Sequence, residues 1–83
     1  MDEKRRAELQ EWAFQEKQRK LQESDEKRDR IIEWVRSHNG QVVSPQRATE
    51  LDKAWKEAFE TNRRESEAIC KEFDELSLRI MLS

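Results

Sequence analysis

The chain has one glycine and one proline, Gly40 and Pro45, and both fall within a single stretch near its midpoint, His38-Asn39-Gly40-Gln41-Val42-Val43-Ser44-Pro45. The segments on either side carry no strong helix breaker, so the chain can be interrupted in one place only. Gly40 lacks the Cβ that clashes in the left-handed conformation closing many helices. Asn39 is the next most tolerant residue there. His38 falls in the last turn, where a protonated imidazole interacts well with the negative end of the helix. Ser44 can accept hydrogen bonds from the free N–H groups of a following helix, and Pro45 fits its first position, where a missing N–H costs nothing. Stop and start signals thus lie within about eight residues, an ordinary helix–helix connection. The pattern predicts an all-α antiparallel hairpin forming one domain over 1–83. Its first helix covers about 2–38, the bend 39–44 and the second helix about 45–82. Val42 and Val43 are expected to plug the closed end of the hairpin; the alternative is an apolar tip that binds.

Composition supports long helices over disorder. Charged residues make up 43% of the 83 residues, yet the net charge is −2, so charges can pair instead of repelling. Glu, Lys, Arg, Gln, Ala and Leu dominate, and all are good helix formers. The near-neutral balance gives no general pull toward nucleic acid or an anionic membrane. One cysteine, Cys70, forms no internal disulfide and suits a reducing compartment. No apolar run approaches the length of a membrane span. The expectation is a cytoplasmic protein without a membrane partner.

In the first segment, Asp2 and Glu3 put negative charge at a helix start. Ala7, Phe14 and Leu21 recur every seven residues, the spacing of a narrow coiled-coil seam, and Leu9, Trp12 and Ala13 widen it. No apolar residue occurs from Gln22 to Arg30, and Ile31, Ile32, Trp34 and Val35 then restore the seam. One helix of about 36 residues would be roughly 54 Å long. The alternative is a break, with Ser24 or Asp25 capping a new helix. The continuous helix is preferred because nothing forces a break and because Glu23–Lys27 and Glu26–Arg30 can pair across the gap.

The second segment has the clearer periodicity. Ala48, Leu51, Trp55, Ala58 or Phe59, Asn62, Ser66, Ile69, Phe73, Leu76 and Ile80 step by three and four. Near its end Leu76, Leu78, Ile80, Met81 and Leu82 are apolar nearly all round, more than one neighbouring helix can cover. Folding the chain at the bend sets side by side positions whose numbers sum to roughly 83. Ile31 and Val35 then face Leu51 and Ala48, Arg28 lies near Trp55, Phe14 faces Ile69, and Ala7 faces Leu76. Two apolar clusters and a polar waist result.

Two helices cannot enclose three tryptophans, and a domain this small gains little from its own core. Self-association is therefore expected, most simply a homodimer forming a four-helix bundle. The competing expectation is a different protein partner. The residues expected to bind protein are Trp12, Phe14, Trp34, Phe59, Leu78, Met81 and Leu82, since partly exposed aromatics serve as binding anchors. Such a chain would act as an adaptor, accessory factor or inhibitor.

Enzymatic chemistry finds little footing. His38 has no nucleophile or carboxylate placed beside it by a motif. Cys70 reads as a packing residue beside Ile69. No Cys/His set, calcium loop or glycine-rich phosphate loop occurs, so no metal or cofactor is expected. Lys17, Arg19 and Lys20 would lie across from Arg63 and Arg64, a candidate anion or nucleic-acid site at the waist. The competing reading is a solvated belt neutralised by Glu16, Glu23, Glu60, Glu65 and Glu67, with Glu16–Lys20 and Glu60–Arg64 as pairs. Finally, Glu50-Leu51-Asp52, just after Ser44-Pro45, resembles the Spo0E-like aspartyl-phosphate phosphatases. These are small helical hairpins with a Ser-Gln-Glu-Leu-Asp motif in the second helix. Ala48 and Thr49 depart from that motif. The resemblance implies a phosphatase role carried by Asp52.

Overall fold

The computed structural model describes residues 2–38 and 44–83. They form two helices, α1 (Glu3–Ser37) and α2 (Pro45–Leu82), with no strand among the described residues. The cross-helix contacts run in opposite senses along the two helices, from Arg6 with Ser83 to Arg47 with Trp34, so the helices are antiparallel. The Cα trace spans 63 × 16 × 8 Å, two helices wide and one deep.

Ser44 and Pro45 open the second helix as expected, and Asp2 and His38 cap the first. The Asp2 carboxylate accepts from the Arg5 N–H at 2.7 Å, and the Ser44 hydroxyl accepts from the Arg47 N–H at 3.2 Å. The expectations for Asn39, Gly40, Val42 and Val43 fall outside the described residues. α1 is continuous through 22–30, so Ser24 and Asp25 start no new helix. The ion pairs across that gap differ from those expected, however. Glu23 takes Arg19, Glu26 accepts from Gln22, and Lys27 crosses to Glu65 on α2 at 3.0 Å.

The interior has two apolar ends and a polar middle. At the open end Ala13, Phe73 and Ile80 are buried together, with Leu9, Ile69 and Leu76 packed against them. Toward the bend Ile32, Val35, Leu51 and Ala58 are buried. Between them the one buried polar side chain among the described residues is Ser24. The α2 seam is as expected from Leu51 to Ile80, whereas Ala48 is exposed. The α1 seam differs in its first half: Ala13 is buried at 3% exposure while Phe14 stands 57% exposed, and Ala7 is exposed too. At that level Phe73 fills the space between the helices, and a small residue opposite lets them approach.

The register is displaced by about one helical turn from the one expected. Asn62 meets Ser24 instead of Leu21, and Ser77 meets Gln10 instead of Arg6. Arg28 accordingly lies 5.7 Å from the centre of the Phe59 ring, one turn beyond Trp55. Phe14 shares a recess with Phe73 and Ser77, about one turn beyond Ile69 on α2. Side chains lean toward the N-terminus of their own helix. In an antiparallel pair this raises the numbers of touching residues by about two in total, roughly half the displacement.

Candidate interaction surface

The seam leaves much apolar surface uncovered. Trp12, Phe14, Ile31, Trp34, Phe59, Leu78, Met81 and Leu82 are each at least 40% exposed. All seven residues expected to bind protein are in this group, and Ile31, expected in the seam, joins them. The reason is geometric. α1 buries the line through Ala13, Ser24, Ile32 and Val35, and Trp12 and Trp34 lie about a quarter turn or more to one side of it. Leu78 falls on the back of α2, roughly opposite Phe73 and Ile80. The apolar groups are therefore spread over several surfaces and form no single patch.

Trp34 is held by contacts from both helices. Arg47 stacks 5.3 Å from the centre of the Trp34 ring, and His38 lies against it at 4.8 Å. His38 Nδ1 is 2.8 Å from the Trp34 carbonyl, an arrangement that puts the imidazole proton on Nδ1 as the donor. On the same side, Ile31 on α1 and Ala54 and Ala58 on α2 line an open groove of about 550 Å³. Its rims carry Lys27 and Arg30 on α1 and Glu57 and Glu65 on α2. Phe14 lines a separate recess of about 220 Å³, which the Lys17–Asp74 ion pair borders at 3.6 Å.

At the waist the polar groups form one network between the helices. The Asn62 amide donates to the Ser24 hydroxyl at 3.0 Å and the Asp25 carboxylate at 2.9 Å, and its carbonyl accepts from Arg28 at 3.2 Å. Glu65 beside it is held below its ordinary pKa, first by the Lys27 ammonium and then by a hydrogen bond from Ser24. Periodicity alone marks Asn62 as a seam position but does not reveal Ser24 as its partner. That pairing depends on the one-turn register.

The five candidate anion-binding residues are not gathered into one cluster. Lys17 and Lys20 reach Asp74 and Glu72 across the helices, each at 3.6 Å, and Lys20 also lies over the Phe73 ring. Arg63 and Arg64 sit about 14 Å further along α2. Arg63 bonds Glu60 and Glu67, Arg64 bonds Glu60, and Arg19 bonds Glu16 and Glu23. The Glu16 pairing therefore goes to Arg19 and not to Lys20. Arg19 and Arg63 hold Glu16 and Glu60 below the usual carboxylate range.

The remaining chemistry is sparse. Asp52 is an exposed carboxylate paired with Lys56 at 2.9 Å, and Glu50 pairs with Arg47. Cys70 is a half-buried free thiol. Among the described residues no group of three or more potential ligands could hold a metal, and no helix is long and apolar enough to cross a membrane. Comparison with family models, curated proteins and solved structures finds no match to this chain. Nothing in them links Asp52 to the phosphatases.

Proposed function

We propose that this chain is a non-enzymatic helical interaction protein that binds protein through its uncovered aromatic and C-terminal apolar side chains. The observation that carries this reading is the imbalance of its surfaces. Among the described residues seven apolar ones are buried, all above 2% exposure, while eight large ones stand at least 40% exposed. Exposed apolar groups of this kind, with aromatics prominent among them, are those that gain most from a partner. Nucleic acid is the weaker alternative, because every cation offered for it is already engaged by carboxylates.

The test is affinity capture on the immobilised chain from the native lysate, read by mass spectrometry. Wild type should retain a defined protein that Trp34→Ala or Leu78→Asp loses and the control Lys53→Ala keeps. Background capture by wild type, or capture indifferent to both substitutions, refutes the reading.

A further inference from the structure

We propose that the groove between Ile31 and Ala54 is closed by a second copy of this chain, packed on the same face about a two-fold axis parallel to the hairpin. The inference rests on the interaction-protein reading and names the partner for one surface.

Two properties of the groove make it complementary to itself. The first is shape. The α1 wall is tall, because Ile31 projects from it at 40% exposure, and one turn beyond the groove Trp34, 43% exposed, continues the ridge. The α2 wall is low, because Ala54, Ala58 and Thr61 recur along it at helical spacing. The second is charge. The α1 rim is basic, with Lys27 and Arg30, and the α2 rim is acidic, with Glu57 and Glu65. Lys27 and Glu65 satisfy each other at 3.0 Å. Arg30 has no ion pair among the described residues. Glu57 has only an exposed contact with Lys53 at 3.8 Å.

A two-fold axis along the hairpin keeps each residue at its own level. It lays α1 of one copy over α2 of the other, antiparallel, as in a four-helix bundle. The tall wall then meets the low wall twice. Within one chain, Gln10 lies level with Ser77 and Ser24 with Asn62. Carrying that register along brings Arg30 over the second copy's Glu57, and Trp34 over its Ala54. Both groove-rim charges without a strong partner in the single chain gain one, and the symmetry repeats each contact. An unrelated helix would have to supply the same alternation of height and charge, which the chain already presents to itself.

Sedimentation velocity at about 1–100 µM chain in physiological salt tests this, with circular dichroism confirming helicity. Arg30→Glu and Glu57→Arg each set like charges against each other in a homodimer and should weaken it roughly tenfold or more. Mixing the two variants one to one should restore the dimer. In the mixed dimer a carboxylate again faces a guanidinium at both symmetry-related contacts: the two substituted side chains meet each other at one, and the native Arg30 and Glu57 meet at the other. An interaction confined to one chain gives no rescue on mixing. A wild-type monomer throughout the range overturns the proposal, as do variants that dimerise like wild type or a mixture that stays dissociated. A failure here that leaves partner capture dependent on Trp34 or Leu78 would strike this inference and spare the broader reading.

Discussion

Replacing Asn62 should separate stability from uniqueness of register. Asn62 makes three cross-helix hydrogen bonds of 2.9 to 3.2 Å, to Ser24, Asp25 and Arg28. A net value of about 0.5–1.5 kcal/mol applies to each such bond, less where water competes. Asp25 is half open to solvent, and Arg28 keeps Asp25 and Asp29 as partners. Ser24, 3% exposed, retains a bond to Glu65. The three bonds thus do not sum to their full value, and Asn62→Ala should cost about 1–2 kcal/mol in urea denaturation. Asn62→Leu should recover most of that by adding apolar contact at the waist, since exchanging a polar seam residue for an apolar one is often neutral or stabilising. It should also remove the waist pairing, which together with Gln10–Ser77 distinguishes this register from slipped ones. Spin labels at Gln18 and Lys71, diluted with unlabelled chain, would report this by pulsed electron resonance. Wild type should give one narrow distance distribution, and Asn62→Leu a broad or split one. A leucine variant as narrow as wild type, together with an alanine variant of undiminished stability, would refute the idea that the waist sets the register.

The buried and exposed phenylalanines should behave differently. Phe73→Ala removes a ring 6% exposed at the open-end cluster and should cost on the order of 3 kcal/mol, enough to unfold much of the population in a chain this small. Phe14→Ala, at 57% exposure, should cost below about 1 kcal/mol; equal losses by chemical denaturation would contradict the assignment of the seam. Acid should destabilise the hairpin in a defined direction. Glu16, Glu60 and Glu65 lie below their ordinary value of 4.5 when folded, so their contribution is complete above that pH and is lost as pH falls through the depressed folded values. Thermal melts from about pH 7 to about pH 3 should therefore show a falling midpoint below about 4.5, shallower in Glu65→Gln; a flat profile would count against these pairs.

The residues differ in how openly they declare their places. Ser44-Pro45 and the three-and-four stepping from Leu51 to Ile80 depend on local geometry alone, and local geometry is written in the order of the residues. The choice between Ala13 and Phe14 is not local. Both are apolar neighbours, and only the bulk of Phe73 across the interface decides that the smaller one turns inward. The same holds for Ser24, whose burial follows from Asn62 being level with it. The uncovered aromatics were legible because they exceed what a two-helix seam can hold, whereas the groove beside Ile31 required the actual register, one turn from that implied by the bend. The ion pairs were least legible: Arg19, Lys27 and Glu60 each had several partners within reach of their long side chains.

A body one helix deep leaves each residue only a single neighbouring helix to shield it from water. Whatever lies flat against such a slab turns skin into interior along the whole line of contact. Folding and docking then cease to be separate transitions, and the melting point of the hairpin rises with the concentration of whatever lies against it.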